Sequence, residues 1–427
     1  MSGRQGRWHV IAGLLALWAA ATLTRVLAGW GDDGLGGQDP WAYRDAARAI
    51  GGWLHGSAPP PRGFLWPLGY PLLGALLAPL VGDEGVALRL VSMVFGAAAA
   101  PLTTLLVWRL APANDGEIGN SGVGAWLAGG VVAFGAAAVV AGGAVMADAA
   151  TMTWLAAGAL ALSVALAPST TTPPTTTPPT TTLPTTTPPT TTPRAWRLIA
   201  LLFVVGLCFG MAYVTRRAAA VAAPALVVLV VRLLRTQHRR LPSSARTLAG
   251  KAALALAGLA ALALGLALPL GAQFGLDPHP AGGLDHAWVR AWLPANAWRT
   301  SFDTPDGHAS YALPQAVFAA FSLIHPGYLA PPGLVFVALG ARAAWRRWPG
   351  LALAFVGWAA LSFALLAGMP FQNFRFGLMG LIPAAVAFGL GSDVALAGRH
   401  RRLAAVALGV ALVWTLAWTP RMAARHG

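Results

Sequence analysis

Charge is scarce in this 427-residue chain: charged residues make up 10% and hydrophobic ones 56%, where a soluble domain carries about 25% charged residues. That balance, with a mean hydropathy of +0.62, excludes a soluble globular domain. It also excludes a nucleic-acid binder, whose basicity would appear as Lys/Arg stripes on polar surfaces rather than between long apolar runs. Cysteine is almost missing. Cys208 stands alone inside an apolar run, which leaves no intramolecular disulfide and no thiol-rich metal site. Lysine is represented by Lys251 alone, and acids number fourteen, so the net charge of +15 is nearly all arginine. The class that remains is an all-α polytopic integral membrane protein.

A membrane helix needs roughly 20 mostly apolar residues. Segments near 8–29, 86–110, 122–142, 145–167, 198–214, 218–233, 251–272, 328–345, 351–369, 376–396 and 403–419 meet that rule, about eleven crossings. The first is longer than a signal-peptide core and reads as an uncleaved anchor. Leu68–Val81 is apolar but short, opens on Pro67, Gly69, Tyr70 and Pro71 and contains Pro79, which predicts an interfacial helix rather than a crossing.

Arginine placement sets the sides, because Lys and Arg accumulate in short cytoplasmic loops. With the N-terminus inside, the cytoplasmic face receives seventeen basic residues and three acids (Asp115, Glu117, Asp393), the outer face twelve arginines and eleven acids. The expected organisation is an N-terminal membrane half, 1–167, with a first outer loop over 30–67. A Thr/Pro-rich disordered insert, 168–193, follows, and then a C-terminal half, 194–427, with a second outer loop over 273–326. In the first loop, Tyr43, Ala46, Ala47, Ile50 and Trp53 recur at helical spacing beside Arg44, Asp45 and Arg48, which predicts an amphipathic surface helix with Asp39 as N-cap and Pro40 as its first residue.

Ionisable residues cluster at the outer helix ends. Asp39, Asp83, Glu84, Asp148, Arg216, Arg217 and Arg375 are expected to line one outward-facing cavity. Guanidinium groups match phosphate oxygens bidentately, and a carboxylate takes the proton from an attacking hydroxyl. That set suits transfer from a lipid phosphate, whereas an ion-coupled transporter would place acids near the midplane. Plainer roles exist for each: helix caps for the two acids, snorkelling for the arginines. Asp32 and Asp33, in a Gly-rich loop, read as turn residues. His279, His286, His308 and His325 are too irregularly spaced for a zinc site, so no metal site is expected.

Four stretches, in order, resemble the GT-C superfamily of glycosyltransferases, specifically the bacterial family 39 group related to dolichyl-phosphate-mannose protein mannosyltransferases. Asp39-Pro-Trp-Ala-Tyr43-Arg-Asp-Ala46 is similar to the loop whose acid is taken as catalytic. Pro67-Leu-Gly69-Tyr70-Pro71-Leu72, followed by Gly82 and Arg89-Leu90, resembles the next conserved run. Met146-Ala-Asp148 is placed like a second acid, and Gly210-Met-Ala-Tyr-Val-Thr215-Arg216 and Phe374-Arg375-Phe376 with Pro383 resemble the later elements. In two places the chain departs from the pattern: Pro40 follows Asp39 where many members have a second acid, leaving Asp32 and Asp33 as alternatives for the base, and Phe376 replaces a Tyr.

The resemblance implies a GT-C-like membrane fold and an inverting transferase. Its donor would be a polyprenyl-phosphate sugar, mannose-like or another hexose or pentose, and its acceptor a cell-envelope hydroxyl on lipid, glycan or protein. Asp39 is then the catalytic base, with Tyr43, Tyr70, Asp148, Arg216, Arg217 and Arg375 binding substrate; no cofactor is certain, and a divalent metal is left open. The implied location is the plasma membrane with the site facing outward, and no nucleic acid is involved. Two other readings stand beside it: a glycan polymerase or ligase, and a transporter or flippase of lipid-linked sugars.

Overall fold

The computed structural model describes residues 3–36, 38–111, 122–166, 192–239, 245–277, 290–304, 307–325 and 327–426. The expected insert lies outside these apart from Thr192 and Pro193, as do Asp115, Glu117, His279 and His286.

Helix α1 (Gly3–Ala28) leads through a turn in which Asp32 and Asp33 accept N–H bonds from Gly34 (3.1 Å) and Leu35 (2.8 Å). Helix α2 (Gln38–Leu54) is amphipathic as its spacing predicts, burying Tyr43, Ala46, Ala47 and Ile50. It begins at Gln38, so Asp39 lies inside its first turn instead of capping it, and Pro40 sits where a missing N–H costs nothing. Helix α3 (Gly69–Val81) has 13 residues and rises about 20 Å, too little to cross about 30 Å of hydrocarbon. Gly82, at φ +82°, closes it with a left-handed cap.

Helix α4 (Glu84–Leu90), a π-turn (Val91–Phe95) and α5 (Ala99–Leu110) form one span. Asp83 caps it by accepting from the Val86 N–H at 2.9 Å. That bond and the neighbouring Arg44 hold its carboxyl below the ordinary carboxylate range. Arg44 and Arg48 of α2 reach Asp83 and Glu84 at 3.0 and 3.4 Å, pinning the surface helix over this span.

Next come α6 (Val123–Phe134) and α7 (Ala136–Gly143), bent by 46° where a single straight span was expected over 122–142. The cause is tertiary. Arg25 of α1, 1% exposed, donates to the Val132 and Ala133 carbonyls at 3.3 and 3.1 Å, and the Ala137 N–H turns to Gly327 O at 3.0 Å. The last carbonyls of α6 are thereby satisfied without a continuing helix.

Helices α8 (Ala147–Leu166) and α9 (Thr192–Thr215) follow, then a 3₁₀ turn (Arg217–Ala222), α10 (Ala223–Arg239) and α11 (Ala245–Leu276). The second outer loop carries a 3₁₀ turn (Pro294–Trp298), an antiparallel hairpin of β1 (Ser301–Thr304) and β2 (Gly307–Ser310), and α12 (Gln315–Ile324). Then come α13 (Gly333–Arg347), α14 (Pro349–Gly368), a 3₁₀ turn (Phe374–Gly380), α15 (Leu381–Ala397) and α16 (Arg401–His426).

Among the described residues, eight helices are long and apolar enough to cross a membrane, or nine with the bent pair, rather than about eleven. The segments expected at 218–233 and 328–345 are helical but shorter. The Arg217–Ala222 turn takes the start of the first, and Pro331-Pro332 delays the second to a 15-residue α13.

Helices pack through glycine, as expected where lipid supplies no hydrophobic drive. A Cβ on Gly391 would strike Phe336 O and one on Gly340 would strike Ala387 O, so α13 and α15 touch backbone to backbone. Gly206 and Gly265 do the same for α9 and α11.

Candidate active site

The ionisable residues singled out from sequence lie at one end of the bundle, where α2 and α8 begin, α9 ends and the Phe374–Gly380 turn crosses. Each acid sits in the first turn of its helix, where the helix dipole favours negative charge. Asp148 is fully buried and accepts from Arg216 Nη1 at 2.6 Å. Asp39, 26% exposed at its side chain, accepts from Arg375 Nη2 at 2.8 Å. These are two charge-assisted pairs, and one ring joins them. The guanidinium carbons of Arg216 and Arg375 lie 5.0 and 5.2 Å from the centroid of Phe376.

Tyr43 sits beneath both pairs, with all four charged groups as electrostatic neighbours; burial, more than those charges, raises its phenol above the ordinary value. Its ring meets Tyr70 edge-on at 5.1 Å. Tyr70 itself faces away from the charges: its hydroxyl donates to Leu88 O at 2.9 Å and lies 2.7 Å from Ser92 Oγ. Ser92, in the π-turn, also bonds Met146 O at 3.0 Å, so the chain Tyr70–Ser92–Met146 fixes the strand of backbone that presents Asp148. The π-turn allows this by freeing carbonyls, of which Phe95 O is taken by Thr153 Oγ1 at 2.6 Å. Arg89 ties the end of α1 to the end of α7 through the carbonyls of Gly29 and Gly143.

Arg217 parts from the others. Arg216 is extended (φ −153°, ψ 120°), which sends consecutive side chains to opposite sides. The Arg217 guanidinium faces Tyr213 and Asp277, and burial lowers its pKa below the ordinary value. The structure therefore brings together Asp39, Tyr43, Asp148, Arg216 and Arg375, places Tyr70 behind them, separates Arg217, and pairs Asp83 and Glu84 with Arg44 and Arg48 of α2 instead. Phe376 as a shared platform, Met146 as a 3.1 Å sulfur acceptor for Arg375 Nη1, and Ser92 were not singled out from sequence. Met146 and Phe376 stood in the sequence only as neighbours of Asp148 and Arg375 in their motifs, and Ser92 only as a hydroxyl within a mostly apolar span.

Two buried atoms of the site lack a partner: Asp148 Oδ1, an acceptor, and Arg375 Nε, a donor. They suit a ligand that brings both a hydroxyl and an anionic oxygen. Both carboxylates are engaged by arginine, and among the described residues no three His, Cys, Asp or Glu side chains converge.

The helices define a multi-pass membrane protein whose fold is that of solved GT-C structures. The particular likenesses are to solved structures. One is the archaeal oligosaccharyltransferase AglB from Archaeoglobus fulgidus, in complex with an inhibitory peptide and a dolichol-phosphate, at TM-score 0.57 and 14% identity. It covers 99% of this chain and 56% of that one. ArnT from Cupriavidus metallidurans bound to undecaprenyl phosphate matches at 0.55 and 15%, over 92% of this chain and 61% of that one. Apo ArnT matches at 0.55 and 14%, over 97% and 77%. The chain thus spans less than two thirds of the first two. No family model matches the sequence, and no curated protein matches it significantly.

Proposed function

We propose that the protein is a membrane glycosyltransferase that moves a sugar from a polyprenyl-phosphate donor to an acceptor hydroxyl, at a site on the outer face. The observation that carries the reading is the pair of carboxylate–guanidinium contacts joined on Phe376, which sets two acids and two arginines side by side, from fully buried Asp148 to partly exposed Asp39. The two ArnT and AglB complexes, which hold undecaprenyl phosphate and dolichol-phosphate, support a lipid-phosphate donor.

Asp39, at the open edge, takes the proton of the acceptor hydroxyl as its oxygen attacks the anomeric carbon. The bond from that carbon to the phosphate oxygen breaks, with inversion, and the electron pair leaves with polyprenyl phosphate. Arg375 keeps a free donor at Nε while bonded to Asp39, so it holds base and leaving phosphate at once. Arg216 adds charge from beside the same Phe376 ring, and such preorganised donors are usually the largest catalytic term. Asp148 holds Arg216 and offers Oδ1 to a substrate hydroxyl.

The basic loops face the cytoplasm in this reading, with the N-terminus inside. The test is purified protein in vesicles given a panel of labelled polyprenyl-phosphate sugars and envelope acceptors. Formation of a glycosidic product supports transfer; label that crosses the bilayer with no bond formed replaces the enzyme by a transporter.

A further inference from the structure

The opposite end of the bundle, where α5 and α8 finish and α14 begins, carries a second arrangement of cavity and charge. Between α13, α14 and α15 runs a groove of about 170 Å³ walled by Val337, Ala341, Val356, Phe363, Ala384 and Ala387, with Ser362 its single hydroxyl side chain. A smaller pocket of about 30 Å³ adjoins it, and the two share Leu110, Trp348 and Leu351. Arg109 of α5 and Arg232 of α10 line that pocket, and Arg347 stacks on Trp348 with its guanidinium carbon 4.9 Å from the ring centroid.

An apolar slot that ends between arginines is complementary to a molecule with a hydrocarbon chain and an anionic head. We infer that this is a binding site for one anionic glycerophospholipid of the adjoining leaflet, with an acyl chain in the groove and its phosphate between Arg109 and Arg232. The charge selects the ligand. A zwitterionic lipid offers the same chain but carries a compensating ammonium, and basic pockets between membrane helices recognise anionic heads. Only the membrane location of the chain is needed here, so the site stands or falls independently of sugar transfer.

The test uses the full-length, delipidated protein in detergent and native mass spectrometry, with phosphatidylglycerol and phosphatidylcholine of matched chains as probes. At about 1 kcal/mol per arginine near the surface, Arg109→Gln and Arg232→Gln each weaken phosphatidylglycerol binding by about fivefold and the double variant by about thirtyfold. Phosphatidylcholine binding does not change. Ala341→Phe, which fills the groove, removes retained phosphatidylglycerol while both arginines remain. Should that variant fold poorly, the two glutamine variants on the bundle's edge carry the test. Equal retention of the two lipids, or phosphatidylglycerol binding indifferent to both arginines, overturns the assignment. It is overturned too if undecaprenyl phosphate displaces phosphatidylglycerol one for one and resists Arg109→Gln/Arg232→Gln, since the groove would then hold a donor tail.

Discussion

Asp148→Asn is the substitution from which the geometry allows most to be worked out. The carboxylate has no solvent exposure, and its one hydrogen-bonded partner among the described residues is Arg216, 14% exposed, at 2.6 Å. Neutralising the acid leaves a largely buried guanidinium without its paired carboxylate. Breaking a buried pair from one side costs about 3–5 kcal/mol; the partial exposure of Arg216 and its contact with Phe376 place the expected loss at the lower end, about 3 kcal/mol. Arg216→Gln alone strands the more deeply buried partner and should cost at least as much. In Asp148→Asn/Arg216→Gln no charge is left unpaired, so the double variant should lose no more than about 3 kcal/mol where additivity would give about 6, a coupling of about 3 kcal/mol. Reversible unfolding in mixed micelles, titrated with SDS, measures all four corners of the cycle. Additive losses within about 0.5 kcal/mol would refute the claim that the two side chains act as one buried pair. Transfer activity should separate from stability, staying low in the double variant.

Phe376→Leu removes the face on which Arg216 and Arg375 rest; at about 0.5–1 kcal/mol per cation–π contact, donor KM should rise several-fold while Phe376→Tyr stays near wild type. Arg25→Met leaves the Val132 and Ala133 carbonyls without their donor inside the bundle. At about 1–3 kcal/mol for each buried group left unsatisfied, stability should fall by several kcal/mol, with faster hydrogen exchange at the α6–α7 bend. A normal exchange pattern would show that Arg25 does not hold the break.

Parts of this arrangement were legible in the sequence because their cause is local. The 3.6-residue spacing of Tyr43, Ala46, Ala47 and Ile50 is enough to predict α2, and Pro67 to Pro79 within a short apolar run is enough to predict that α3 does not cross. Other parts have causes far away in the chain. The break at Gly135 depends on Arg25, 108 residues from its partner Ala133, and no pattern within 122–142 announces it. Asp39 and Arg375 are separated by 336 residues, so their pairing could be expected only from motif order and shared sidedness. Arg216 and Arg217 are adjacent and look interchangeable, yet one extended residue sends them apart. Asp39 satisfies every sequence criterion for an N-cap, and only the position of Arg375 shows that its carboxylate is used elsewhere.

In the proposed reaction Asp39 is the base, and its carboxylate is the group the chemistry cannot lose. Single-turnover formation of glycosidic product from a labelled polyprenyl-phosphate sugar, compared between the wild type and Asp39→Asn, tests it most directly. The expected loss is about 10²–10⁴-fold in rate, with donor binding and unfolding near those of the wild type. A folded Asp39→Asn protein that transfers sugar at the wild-type rate would contradict it.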